Sequence, residues 1–440
     1  MAEDRQLHAG LTQVDIQRTR PHLAGEVSSA GRTLPPLDGE TLRAASTRDA
    51  FLWDQNGRRY IDTLMAFGAT VLGHAPTAVV EAATKAIAAG PMHGVPNLLE
   101  ETAAAALTRH TGRLSKAIFL NSGSEAVQFA CRVARRKTGR PRIAKFAGSY
   151  HGWHDGFTFG NAGTPEAAMR GHERPVSDGF ALLRYNDEDD LEKLFRERAD
   201  IAAILVEPVL ANAGCITPAP GYLEKLQKAA RENGALIISD EVLMGFRLHN
   251  GLAADVLGLA PDLATVGKAI GSGFAVSAVI GTEDVMAAVS DGGTALAGTY
   301  NGNAVACAAV IATAGLLGAL DYNAMLRRGE RLRRAIEATA RNLGLPLATA
   351  GYGSVFTIWF AETPPSTYAE ALALQRADLT AQLHLALRRR GVLTMPTPLG
   401  RWFLSAAHDN DVIDALTAAT STALETLQHG VRGDAVHVRA

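Results

Sequence analysis

Between about residue 75 and residue 310, short apolar runs alternate with Ala-rich helical patterns, and this alternation constrains the fold more than any other feature. The runs at 117–120, 201–206, 235–238 and 277–280 are almost continuously apolar, as in strands covered on both faces. Helical patterns such as 125–137 and 223–232 separate them, the second closed by Asn233-Gly234. Buried apolar strands alternating with helices predict an α/β unit with a mainly parallel sheet. The chain is long enough for more than one core, with 440 residues of which 47% are hydrophobic.

The flanks read differently. Residues 1–45 are polar and mixed, and predict an arm with limited regular structure. Phe51 to Asp62 reads as two strands around a tight Asn56-Gly57 turn. Beyond residue 311 long helical patterns surround one convincing strand run, Ser354 to Phe360. The expected division is 1–60 as arm and hairpin belonging to a small domain, 61–310 as a large domain, and 311–440 as the rest of a small α+β domain.

Net charge is −2, and Arg388-Arg389-Arg390 lies in a helical pattern, so neither a nucleic acid nor a membrane is an expected partner. Cys131, Cys215 and Cys307 are odd in number and unpaired in spacing. The first twenty residues are too charged for a secretory signal, and no apolar run reaches membrane-spanning length. A reduced, cytoplasmic setting is expected.

Chemistry concentrates where strands end. Asp240 closes the apolar run at 235–238 through Ser239, and Lys268 follows the run at 263–266 through Gly267. An amine and a carboxylate so placed can serve two sides of one small cofactor: the amine forms a Schiff base with an aldehyde, and the carboxylate holds a pyridinium proton. The other lysines, Lys85, Lys116, Lys137, Lys145, Lys193, Lys225 and Lys228, sit in apparent helix or turn patterns where a solvated cation is expected. Lys268 alone lies between apolar residues and glycine, so desolvation and nearby cations are expected to lower its pKa.

Three further clusters lie at comparable positions. Asn121-Ser122-Gly123-Ser124-Glu125 opens a helix after a strand, which suits a phosphate on free backbone amides, although Ser124 could simply be an N-cap. Gly148-Ser149-Tyr150-His151-Gly152-Trp153-His154 places an aromatic in a Gly-flanked loop, able to cover a heteroaromatic ring. His151 and His154 lack a third ligand at supporting spacing, so no metal is expected. Glu207-Pro208, followed by Asn212 and Gly214, again follows a strand, where open α/β sheets bind ligands.

Taken together, Asn121-Ser122-Gly123-Ser124-Glu125-Ala126, Tyr150-His151-Gly152, Glu207-Pro208, Asp240-Glu241-Val242, Gly267-Lys268 and Gly298-Thr299 resemble the class III pyridoxal phosphate-dependent aminotransferases of fold type I. Within them the chain is similar to the glutamate-1-semialdehyde aminomutase branch, over roughly residues 25–430. The resemblance implies a large domain with a mainly parallel sheet, a smaller α+β domain from both termini, and pyridoxal 5'-phosphate as cofactor. It implies Lys268 as Schiff-base lysine and proton carrier, and Asp240 as partner of the pyridine nitrogen. Ser122, Gly123 and Ser124 would form the phosphate cup, with Tyr150 stacked on the ring. His151, Glu207, Asn212 and Val242 complete the expected cofactor site. Thr299 would reach the phosphate of a neighbouring subunit in a homodimer with shared active sites. Arg32 falls near a position that binds a substrate carboxylate, for which a guanidinium fork is suited.

Three positions depart from the aminomutase pattern: Gly400 stands where an acidic residue is usual, Trp153 follows Gly152, and Tyr300-Asn301 follows Thr299. They point toward branch members acting on β-amino or aryl-substituted amino acids, with Phe67, Leu399 and Trp402 expected near an apolar substituent. The expected activity is ping-pong transfer from an amino acid donor to a 2-oxo acid acceptor. An aminomutase that moves the amino group within glutamate 1-semialdehyde is the alternative. A non-catalytic pyridoxal phosphate-binding regulator is the third reading, although no helix-turn-helix pattern or basic face precedes the Trp53 hairpin.

Overall fold

The computed structural model describes residue 23 and residues 27–162 and 179–437. Residues 1–42 and 43–440 form two compact units. In the first, the described part holds a 3-10 turn at Ala30–Arg32 and a bridge between Leu37 and Glu40.

The second unit contains three sheets. Strands β1 (Ala44–Arg48), β2 (Phe51–Asp54) and β3 (Arg59–Asp62) form an antiparallel meander. Between β2 and β3 only Gly57 takes a positive φ, 77°, while Asp54 Oδ1 accepts from the amides of Asn56 and Arg58. The connection is therefore a three-residue loop ending in a left-handed glycine, not a two-residue Asn-Gly turn, because the Asp54 side chain supplies acceptors for the extra residue.

The central sheet has seven strands: β4 (Lys116–Leu120), β5 (Arg142–Phe146), β6 (Phe180–Leu183), β7 (Ile201–Val206), β8 (Leu236–Asp240), β9 (Leu263–Val266) and β10 (Ser277–Gly281). Their order is β4-β10-β9-β8-β7-β5-β6. All run parallel except β10, which is antiparallel to both neighbours. Every residue of β7, β9 and β10 is buried, which explains their continuous apolar character. Truncating one such side chain, Ile204→Ala, would cost about 3 kcal/mol.

The third sheet joins β11 (Ala348–Tyr352), β12 (Val355–Trp359) and β14 (Arg401–Phe403), whereas β13 (Val392–Leu393) pairs in parallel with β3. Arg247 locks several of these segments together. It is fully buried and donates to the carbonyls of Gly68, Ser354 and Leu404, and its guanidinium lies 5.2 Å from the Phe403 ring centroid. No single helix among the described residues is long and apolar enough to cross a membrane.

Candidate active site

Parallel order fixes the site. β9, β8 and β7 are adjacent and point the same way, so the residues at or just past their C-terminal ends emerge along one edge. Those residues are Lys268, Asp240 and Glu207. The C-terminal ends of β4 and β5 lead into 121–124 and 148–153. β10 runs the other way, so the turn before it, Gly273 to Val276, faces the same edge. Together these segments enclose a cavity of about 310 Å³ lined by Ser122, Gly123, Ser124, Tyr150, His151, Glu207, Asn212, Asp240, Val242 and Lys268, among others. That is at the lower end of ligand-sized pockets and suits one heteroaromatic cofactor.

Asp240 is held from two sides. Its Oδ2 accepts from His151 Nδ1 at 2.7 Å, and its Oδ1 accepts from Thr265 Oγ1 at 2.9 Å and Val242 N at 3.1 Å. A carboxylate oxygen only accepts, so Nδ1 carries the proton. Burial lowers the His151 pKa, with Asp240 opposing, and its Nε2 is buried without a partner. Glu241 belongs to a different job: it accepts from Ala253 N, Ala254 N and Ser239 Oγ, capping the Ala253–Val256 helix.

Lys268 opens the 3-10 turn Lys268–Gly271 with φ 44°, a strained angle for a side chain bearing residue. Desolvation pushes its amine down to about 8, and Arg401 adds to that push while Asp240 and Glu207 oppose it. Glu207 is raised to about 8 by burial and by Asp240, although it accepts from Tyr150 N at 2.7 Å and Asn212 Nδ2 at 3.3 Å.

The helix Gly123–Thr138 presents its N-terminus to the cavity. Its N-cap is Ser122, not Ser124. Ser122 Oγ accepts from Glu125 N, and Glu125 reaches back to Ser122 N at 2.7 Å, a capping box. This leaves the first-turn amides of Gly123 and Ser124 pointing outward. Ser124 Oγ instead accepts from Trp153 N at 3.3 Å, tying the aromatic loop to the cup. A Cβ at Gly123 would lie 2.8 Å from Val242, and one at Gly152, where φ is 97°, would collide with Ser124 Oγ. Both glycines are close-approach positions.

Other expected residues lie elsewhere. Phe67 is half-buried on the Met65–Gly68 turn; it is Ala69 that lines the cavity. Leu399 is packed in the main core. Gly400 and Trp402 line a separate small cavity with His384, and Trp402 stacks on Phe356. Thr299 is exposed in a loop anchored by Asn121 Nδ2 to Asn301 Oδ1 and Asn97 Nδ2 to Gly302 O. Arg32 is exposed in the N-terminal unit. His154 is exposed too, and among the described residues no three His, Cys, Asp or Glu gather as a metal site.

Two cations were not legible. Arg401, at the start of β14, is buried close enough to Lys268 to depress its pKa, and its Nε has no partner. Lys145 corrects the solvated-cation expectation. It lies in β5, fully buried, and donates to Phe157 O at 2.6 Å, Phe159 O at 2.8 Å and Asn161 Oδ1 at 3.0 Å. Lys116 is likewise a strand residue, exposed at the start of β4. The sequence hid Lys145 because its acceptors are mostly backbone carbonyls, which leave no residue signature.

Free amides at a helix N-terminus, an anchored carboxylate and a desolvated amine around one cavity form the donor set that pyridoxal phosphate requires. Comparisons agree. The family model for class-III aminotransferases matches residues 38–396. A glutamate-1-semialdehyde 2,1-aminomutase from Thermomicrobium roseum is 36% identical, covering 93% of this chain and 97% of that protein. Among solved structures, an omega-transaminase from Sphaerobacter thermophilus superposes with a TM-score of 0.83 at 30% identity, over 92% of this chain and 94% of that one. A beta-phenylalanine aminotransferase from Variovorax paradoxus gives 0.82 at 30% identity, over 98% and 94%. The chain belongs to the class-III aminotransferases and is a pyridoxal phosphate-dependent enzyme of fold type I.

Proposed function

We propose that this enzyme transfers an amino group between two separate carboxylate-bearing substrates, from a β-amino or aryl amino acid to a 2-oxo acid, in a ping-pong cycle. One observation carries this reading: Gly400 stands where an acidic residue is usual, and the next residue, Arg401, is a buried guanidinium whose Nε has no partner and whose charge helps lower the Lys268 pKa. A Cβ at Gly400 would lie 2.7 Å from Thr397 O and 2.8 Å from Met395 Cβ. The acidic side chain usual in aminomutases has no room on this backbone, whereas Arg401 offers a substrate carboxylate a cation.

Pyridoxal phosphate, when bound, supplies an aldehyde and an electron-withdrawing ring. The chain does the rest. Lys268 Nζ takes and returns the substrate's proton. Asp240, oriented by His151 and Thr265, would keep a proton on the ring nitrogen. The Gly123 and Ser124 amides would hold the phosphate beside Ser122, Tyr150 would cover the ring, and Val242 packs against Gly123. Asn212 and Glu207 would meet the ring's polar groups. Arg32 serves a second substrate carboxylate, and Ala69 borders the cavity where Phe67 was expected. The enzyme works as a cytoplasmic homodimer in which Thr299 completes the neighbouring subunit's phosphate site, and its smaller domain comprises the hairpin sheet and the C-terminal third.

The test is a half-reaction screen. Mixed with single α- or β-amino acids and no acceptor, the enzyme should lose its visible cofactor band fastest with β-amino or aryl donors, and Lys268→Ala should show no turnover. The relatives named aminomutase favour a second reading, and sustained 5-aminolevulinate formation from glutamate 1-semialdehyde alone would establish it over ours.

A further inference from the structure

Lys145 is a costly residue to place in a buried strand. An ammonium buried without a carboxylate partner is tolerated only when its three protons find acceptors, and an apolar side chain of similar length would usually serve packing as well. Here all three acceptors come from one later segment: Phe157 O, Phe159 O and Asn161 Oδ1. Asn161 is itself buried and passes the contact on, donating through Nδ2 to Gly152 O at 3.2 Å. Gly152 lies against Ser124, whose Oγ accepts from the next amide, Trp153 N. The same loop is pinned at its other side by Tyr150 N on Glu207, and it folds back through Gly148 N to Gly160 O and Ala162 N to Ser149 O.

We propose that Lys145 is a positioning residue, which through Asn161 and Gly152 sets the loop carrying Tyr150 and His151 against the N-terminus of the Gly123–Thr138 helix. The ammonium gathers the returning segment, Asn161 relays its position, and the Gly152 carbonyl fixes how closely the loop approaches Ser124. The inference rests on the reading of this loop as one wall of the cofactor site.

The experiment compares Lys145→Met, Asn161→Ala and the double variant by two readouts. Hydrogen exchange followed by mass spectrometry reports amides 148–153 in the apoenzyme. Fluorescence titration of the apoenzyme with pyridoxal phosphate reports cofactor affinity. Each single variant should speed exchange at 148–153 and weaken cofactor binding about tenfold, as expected for loss of a buried charged hydrogen bond. The double variant should be no worse than the weaker single one, because both act along one route. Unchanged exchange in both single variants overturns the positioning role. Faster exchange with unchanged affinity upholds the positioning role and overturns the reading of the loop as a cofactor wall. Multiplying effects in the double variant overturn the route through Asn161. Should Lys145→Met fail to fold, Asn161→Ala read by the same two measurements decides alone.

Discussion

At the scale of residues, the site works by making charge expensive where a neutral group is wanted. Lys268 Nζ loses solvation and feels the positive charge of Arg401, which together move its pKa from the ordinary lysine value to about 8. The sign follows directly. Below pH 8 the amine is protonated and cannot attack an aldehyde; above it the free base dominates. The rate at which apoenzyme captures pyridoxal phosphate should rise through about pH 8 and level off beyond it, measured by stopped-flow absorbance. Asp240 works the opposite way, kept as an acceptor by three donors. Asp240→Asn keeps the shape but not the charge, so turnover should fall at least ~100-fold while the cofactor still binds. Both residues were legible because each follows an apolar run at a strand end. Arg401 and Lys145 were not: their significance comes from neighbours distant in sequence, and the chain around Lys145 reads as a helix or turn with a solvated cation.

At the scale of elements, the helix N-terminus and the aromatic loop form one construction. Ser122 and Glu125 consume each other's hydrogen-bonding groups and leave Gly123 and Ser124 amides for an anion. Ser122→Ala should destabilise the protein by about 1 kcal/mol in urea unfolding, through loss of the cap. Gly152→Ala should act differently. Its φ of 97° and its approach to Ser124 leave no space for a methyl group, so the loop must lift. Cofactor affinity measured by titration should drop about tenfold or more. Strands and helices were readable from periodicity because each buries its own pattern. The direction of β10 was not, since a fully buried strand has the same composition whether it runs parallel or antiparallel. That direction matters, because it delivers Gly273 to Val276 to the cavity.

At the scale of the molecule, the described surface leaves apolar groups where a second copy is proposed to sit. Leu98 and Val95 are 95% and 70% exposed, Tyr300 is 63% exposed, and the Asn97–Gly302 hydrogen bond joins the two segments that carry them. Exposed apolar groups of this kind are what the proposed second copy would cover. Thr299 is one residue from Tyr300 and exposed, so on its own chain it has no part in the cavity lining, but across such a face it could complete another subunit's phosphate cup. Complementation decides the point. Lys268→Ala should be inactive, and Thr299→Val should bind cofactor about tenfold more weakly, as for loss of one phosphate hydrogen bond. In a mixed dimer, one site would combine an intact Lys268 with an intact Thr299 from the other chain. Unfolding and refolding the two variants together should therefore yield sites of wild-type affinity, close to one quarter of the total by random pairing. If Thr299 serves its own chain, no such sites form, and mixing the variants leaves activity at limiting cofactor no higher than the average of the separate proteins.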